Sequence, residues 1–325
     1  MTSPITLRST MAPAARRVRA FFAPVDRATS APAVFDLGRH GRFALSAPPL
    51  GWVDLGWIEN FTRTAETKVA PVRVGAKAAP AAQFRSQLGA RVEFDFRQWG
   101  KLQMALASGA QHMNVLMPDL VADPGGSQPL PPVLVQPDST TTQLLFAPGL
   151  TAGFAPGDLV AVDVDYAGTV GYVGSGIAAA YVTSPAQVHN DSNYVRRVTF
   201  NVARIASVTD SAIVLAQPLI GGEPLAGAKM QKIAGFYDRE SGSFFHEWSA
   251  VFVVEEDLGG RICFHYPRLQ AAASAREAGI PLGVPAEAFA LRAAFTALPV
   301  TDAVDSEPVL CYRAYFPAAS AAVAY

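Results

Sequence analysis

Charge is what this chain has least of. Its 325 residues include 26 Lys and Arg and 27 Asp and Glu, so charged side chains make up 16% of the total, against a usual share of about 25%. The net charge is −1, which argues against a strongly basic nucleic-acid binder. A monomer with so little charge would have a poorly solvated surface. Two sources fit the deficit. One is an alanine-rich composition of the kind a GC-rich genome produces; the other is surface buried against copies of the same chain.

Cysteine is equally scarce. Cys263 and Cys311 are the only two, each inside an expected strand. That excludes a disulfide scaffold and predicts two buried free thiols. No run of 18 apolar residues occurs, so no transmembrane helix is expected. The histidines His40, His112, His189, His246 and His265 show no H-x-x-x-H or Cys/His ligand spacing, which leaves zinc unsupported. There is no G-x-S-x-G elbow, and neither cysteine has the context of a nucleophile. No catalytic residue, metal ligand or cofactor is therefore expected.

Glycine and proline are plentiful, at 26 and 25 residues, and half the chain is apolar; general disorder is excluded. Residues 1–25 carry Arg8, Arg16, Arg17 and Arg19 and no acid. This is the composition of a transit peptide, but Pro4, Pro13 and Pro24 oppose a long amphipathic helix. An extended N-terminal arm is the expectation.

Period-two alternation dominates the segments beyond the arm. In Arg91–Arg97, Val92, Phe94 and Phe96 face one way and Arg91, Glu93, Asp95 and Arg97 the other, the pattern of an antiparallel strand wetted on one side. Ser243–Val254 and Arg261–Tyr266 flank Gly259-Gly260 and predict a hairpin, with His246 and His265 as cross-strand neighbours. Ala288–Leu298 reads as a strand paired with Val309–Phe316 across a turn at Thr301–Pro308. Helices are few: Gln98–Ser108, with Trp99, Leu102 and Leu106 at helical spacing, and Leu269–Ala278, ended by Gly279 and Pro281. Asp123–Pro137 holds five prolines and two glycines and reads as a linker or long surface connection. Beyond it, closely spaced strands and glycine turns predict a small barrel inserted at residues 140–232.

Candidate sites are sparse. Gly171-x-x-Gly174-x-Gly176 lacks the spacing of either nucleotide fingerprint and reads as barrel turns. Asp163 and Asp165 share a strand face, but no third oxygen ligand accompanies them. Glu255-Glu256-Asp257 reads as a solvated hairpin tip. Trp52, Trp57 and Phe61 crowd a short glycine-punctuated stretch, which suits an interface or an interior cluster under a loop.

One resemblance emerges. Trp52-Val53-Asp54-Leu55-Gly56-Trp57-Ile58, then Arg91-Val92-Glu93-Phe94-Asp95-Phe96 and a Trp99–Ser108 helix, resemble the tail tube (major tail) proteins of tailed bacteriophages. Phe236–Ala250 and Asp302–Phe316 resemble their last strands. The likeness covers residues about 20–120 and 233–317. Minimal tube proteins are much shorter, and Gln143–Lys232 has no counterpart in them.

The resemblance implies a mainly β protomer: a tail-tube-like sandwich or barrel with a flanking α-helix. It would comprise an arm (1–25), a discontinuous tube domain (26–139 and 233–325) and an inserted small β-barrel (140–232). It implies a non-enzymatic virion protein of the tail, assembled in the host cytoplasm, that self-assembles into stacked hexameric rings and conducts DNA during ejection. Partners would be copies of itself and the tape-measure, tail terminator and tail-tip proteins. DNA would touch it only transiently and non-specifically, since tight phosphate contacts would stall a conducted strand. Arg91, Glu93, Asp95 and Arg97 become candidate lumen or ring-contact residues. Arg16, Arg17, Arg19, Trp52, Trp57 and Phe61 become candidate inter-subunit contacts. Another tail component, or a decoration, receptor-binding or glycan-binding β module, is the alternative. Under the tube reading the charge deficit concentrates on ring and stacking contacts.

Overall fold

The computed structural model describes residues 15–25, 32–49, 52–74, 79–108, 111–116, 131–163, 201–219, 222–239, 247–257, 259–272, 276–277 and 290–318. Its elements, in chain order, begin with β1 (Ala15–Pro24), α1 (Leu37–His40), β2 (Val53–Val74), β3 (Ala79–Phe96) and α2 (Lys101–Ser108). Next come β4 (Gln111–Leu116), β5 (Val133–Leu134), β6 (Gln143–Leu145), β7 (Leu159–Asp163), β8 (Val202–Val208), β9 (Ala212–Leu215) and β10 (Lys229–Arg239). The last are β11 (Glu247–Glu256), β12 (Arg261–Ala271), β13 (Arg276–Glu277), β14 (Leu291–Ala297), β15 (Val300–Thr301), β16 (Pro308–Val309) and β17 (Tyr312–Phe316). The chain is mainly β and divides into two compact units: residues Met1–Val25, Pro32–Trp99 and Glu247–Tyr325, and residues Asp26–Ala31 and Gly100–His246.

The first unit is built on a closed six-stranded antiparallel barrel. Its ring runs β1–β2–β3–β14–β12–β11 and back to β1. Side chains alternate along each strand, and the register brings one parity inward throughout. Val18, Ala20 and Phe22 of β1 lie opposite Val254, Phe252 and Ala250 of β11. Phe96, Phe94 and Val92 of β3 lie opposite Leu291, Ala293 and Phe295 of β14. The rings of Phe22, Phe94, Phe252 and Phe295 meet at centroid distances of 5.4–5.8 Å, and all four are fully buried. Aromatic contacts at this spacing add to the burial of their area.

Outside this core, the unit has a second apolar layer. The segment 32–49 and Trp52 lay Phe35, Leu37 and Phe43 over Phe21, Val251, Val253 and Cys263, which point outward from β1, β11 and β12. The barrel wall is therefore buried on both sides here, and β11 reads as a nearly continuous apolar run rather than an alternating one.

The second unit is a sheet ordered β4–β10–β7–β8–β9–β6, with β5 paired to β10. Its core gathers Leu144, Phe146, Val160, Val162, Ile205, Ile213 and Met230. Gln136 N–H donates to the Leu145 carbonyl at 2.8 Å, a single bond across the gap between β5 and β6. Thr209-Asp210-Ser211 turns the chain from β8 to β9. The expected insert at 140–232 lies inside this unit, which also takes in α2, β4 and β5.

Several sequence expectations need correction. The helix expected at Leu269–Ala278 gives way to strands among the described residues: β12 runs through Leu269–Ala271, which pair with Ala297, Thr296 and Phe295 of β14, and Arg276–Glu277 form β13. Those ladder bonds outweigh the helical preference of an alanine-rich stretch. The helix expected from Gln98 begins only at Lys101, leaves Trp99 outside it, and groups with the second unit rather than with the barrel. β14 pairs with β3 and β12, not with β17; β17 pairs with β12, and only the minimal strands β15 and β16 pair across the intervening turn. The residue opposite His265 is Val251. His246, Asp165 and Gly171–Gly176 lie outside the described residues. Cys263 is buried and Cys311 half-buried, both free thiols. Among the described residues, no helix is long and apolar enough to cross a membrane.

Phe94→Ala should cost about 3–5 kcal/mol, since it opens a cavity at the centre of four rings. Val304→Ala, at the fully exposed tip of the β15–β16 turn, should move stability by no more than about 0.5 kcal/mol. Urea denaturation of both variants beside the native chain checks the contrast.

Candidate functional site

The polar face of β3 is assembled across three strands. Because Val92, Phe94 and Phe96 fill the barrel, alternation turns Arg91, Glu93, Asp95 and Arg97 outward. Register then sets Asp95 between Glu59 of β2 and Arg292 of β14. Asp95 accepts hydrogen bonds from Arg292 Nε at 2.9 Å and from Asn60 Nδ2 at 2.6 Å. Arg91 pairs with Glu93 at 2.6 Å and Arg97 with Glu59 at 2.8 Å. Asn60 has a left-handed backbone, φ 51°, at a bulge in the β2–β3 ladder. Asparagine tolerates that conformation, and the bulge carries its amide to Asp95.

Three cations, Arg91, Arg97 and Arg292, thus meet three anions, Glu59, Glu93 and Asp95. The Arg91–Glu93 and Arg97–Glu59 pairs are half-exposed and worth little by themselves; Asp95 is more enclosed. The face as a whole is hydrated, polar and neutral. Among the described side chains, these six charges balance.

The arginines of β1 form a second group. Arg17 pairs with Glu255 at 2.6 Å, and Arg19 pairs with Asp54. Their guanidinium carbons sit 4.0 and 5.2 Å from the centroid of the Trp57 ring, both within cation–π range. Arg16 is exposed at the irregularity between Ala15 and Arg17. Trp52 is buried in the outer apolar layer against Phe43, which leaves little of it for a neighbour. Phe61 is half-buried, its ring 4.9 Å from Phe252 and 5.9 Å from Phe264. Of the candidate contact residues, Trp52, Trp57 and Phe61 are thus engaged within their own unit.

Sequence reasoning passed over Asn60, Glu59 and Arg292. Nothing local marks them; only the pairing of β2 and β14 with β3 brings them to Asp95. It also passed over the polar contact at Tyr266. Arg63 Nε donates to the Tyr266 hydroxyl at 2.9 Å, and burial pushes that phenol up to about 12.

Elsewhere, Asp163 is buried on β7, in register with Lys229. Among the described residues no group of three His, Cys, Asp or Glu side chains is placed to hold a metal. No protein-family model matches the chain, and no curated protein sequence matches it.

Removing the anions of the β3 face should unmask its arginines. The double variant Glu93→Gln, Asp95→Asn should bind duplex DNA at low salt, with affinity falling steeply as salt rises, while the native chain shows no such binding. Fluorescence anisotropy across a salt series reads this out; equal anisotropy for both proteins would remove any role for charge balance on this face.

Proposed function

We propose that the chain is a tail tube (major tail) protein of a tailed bacteriophage. In this reading it is a non-catalytic virion component whose copies form hexameric rings, and the rings stack into a hollow tube that passes DNA. The observation that carries the reading is the β2–β3 ribbon. β1 pairs with β2 no further than Ile58, and β14 pairs with β3 no further than Arg91. From Ala65 and Ala90 outward the two strands pair only with each other among the described residues, up to Val74 opposite Ala79. At 3.2–3.4 Å per residue this ribbon reaches about 30 Å beyond those pairings.

A two-stranded ribbon is marginal in water by itself, and both its edges carry backbone groups ready to pair with another chain. Val69 and Val72 are exposed on it. Among the described residues, the six barrel strands otherwise join edge to edge into a ring. Association with further copies through the ribbon accounts for both features, and it accounts for the chain's shortage of charge.

The neutral β3 face supports the same reading. A conduit must not hold what it conducts, and a face of three cations against three anions gives phosphates no net attraction. The reading also assigns residues 140–232 to an inserted decoration domain and α2 to the tube protomer, with tape-measure, terminator and tip proteins as further partners.

A second reading, a decoration or receptor- or glycan-binding module, draws on the separate core of the second unit. Removing residues 140–232 separates the two: assembly survives if the unit is decoration.

Negative-stain microscopy of the purified protein should show rings or tubes; a monodisperse monomer at high concentration overturns the proposal. Val69→Asp combined with Val72→Asp should abolish those assemblies while changing protomer stability by no more than about 0.5 kcal/mol, as read by sedimentation velocity and urea denaturation.

A further inference from the structure

His265 is fully buried where the segment 32–49 lies on the barrel wall. Its ring stacks on Tyr312 at 5.9 Å and meets Trp52 edge-on at 5.8 Å. Both ring nitrogens are engaged. Nδ1 lies 3.2 Å from the Ala250 carbonyl, which can only accept, so Nδ1 carries the proton. Nε2 accepts the Phe35 N–H at 3.3 Å. The two bonds together require the neutral ring, with the proton on Nδ1.

The segment it receives has little else of this kind. Among the described residues no sheet ladder joins 32–49 to the wall. Its other polar ties include Arg42 to the Pro317 carbonyl at 2.9 Å and Arg261 to the Phe43 carbonyl at 3.5 Å, both nearer solvent, and a hydrogen bond between the Cys263 thiol and the Phe43 backbone. Apolar packing of Phe35, Leu37 and Phe43 does the rest.

We propose that His265 is an acid-sensitive latch: protonation of its ring releases segment 32–49 from the barrel wall. A proton on Nε2 turns the acceptor of the Phe35 N–H into a second donor, so the two groups oppose each other. It also places a cation in an apolar layer, which costs far more than a neutral ring does. The ring recovers water only if the segment lifts.

The surroundings do not offset that cost. From the segment, the charged groups near the site among the described side chains are Asp36, beside Phe35, and Arg42. From β12 they are Arg261 and the thiol of Cys263, and from β17 the phenol of Tyr312, whose hydroxyl donates to Asp302 at 2.6 Å. β11 contributes no titratable side chain between Ser249 and Val253. Burial dominates, opposed only by the Ala250 carbonyl, and holds the ring down to about 4 from the usual 6.5. Docking is then at full strength above pH 6.5. It weakens by about tenfold for each pH unit down to about pH 4, where the docked ring itself takes a proton.

Amide hydrogen exchange on the full chain between pH 7.5 and 4 tests this. Protection at Phe35 and through the segment should fall by about tenfold per pH unit below 6.5, while amides of β3 and β14 keep theirs. His265→Gln keeps an acceptor for Phe35 and a donor for Ala250 without titrating, and should flatten the dependence. Segment protection that is constant over this range, or that falls in step with β3 and β14, overturns the proposal; so does an equal fall in the Gln variant. Should that variant fail to fold, the His265 ring resonances of the native chain decide. A ring that stays neutral below pH 5 while the segment is docked sustains the latch, and one that titrates near 6.5 with the segment still protected overturns it.

Discussion

Closure of the six-strand ring is the constraint on which the first unit rests. A sheet that closes must put one parity of every strand inside, and here those positions carry Phe22, Phe94, Phe252 and Phe295. The rings interlock only when all six ladders hold their register together. A slip of one residue at any strand would send its interior side chains to the outside. Every surface property of the unit follows from that parity. It turns Arg91, Glu93, Asp95 and Arg97 outward on β3, and it turns Phe21, Val251 and Cys263 outward on β1, β11 and β12. The same rule therefore produces a polar outer face on one side and an apolar outer face on the other. The apolar one needs a cover, and the segment 32–49 supplies it.

Much of this was legible because alternation is a local signal. The R-V-E-F-D-F-R stretch announces its two faces by itself, and the hairpin of β11 and β12 is marked at its turn by Gly259, which takes a positive φ. In β14, Leu291, Ala293, Phe295 and Ala297 alternate into the barrel, which outweighs the helical propensity of an alanine-rich stretch. What was illegible is what depends on partners. Nothing in residues 288–316 says that β12 gives its first half to β17 and its second half to β14, so the pairing inferred from chain proximity failed. The stretch Leu269–Ala271 looks helical until its neighbour in the barrel is known.

The candidate site shows the same division. The four polar residues of β3 were readable, but their charge balance was not. It comes from Glu59 and Arg292, which lie far away in the chain and arrive only through β2 and β14. Trp52 illustrates the converse. A tryptophan in a glycine-rich stretch suits an interface or an interior equally well by chemistry, and only the cover formed by segment 32–49 decides for the interior.

The ring also has a temporal consequence. β1 is complete within the first 24 residues, yet its partner β11 begins only at Glu247, and β14 and β12 come later still. The second unit is interposed and has a core of its own. During synthesis it can condense while the first strand has only β2 to pair with, since domains fold as units in the order the ribosome delivers them. Phe22 meets its interior partners Phe252 and Phe295 only after β11 and β14 are made, and the non-local ladders that complete the ring belong to the slow class of folding events. The topology that closes the barrel thus makes its completion dependent on the last third of the chain, and a truncated product would leave the interior face of β1 without β11 and β14 to cover it.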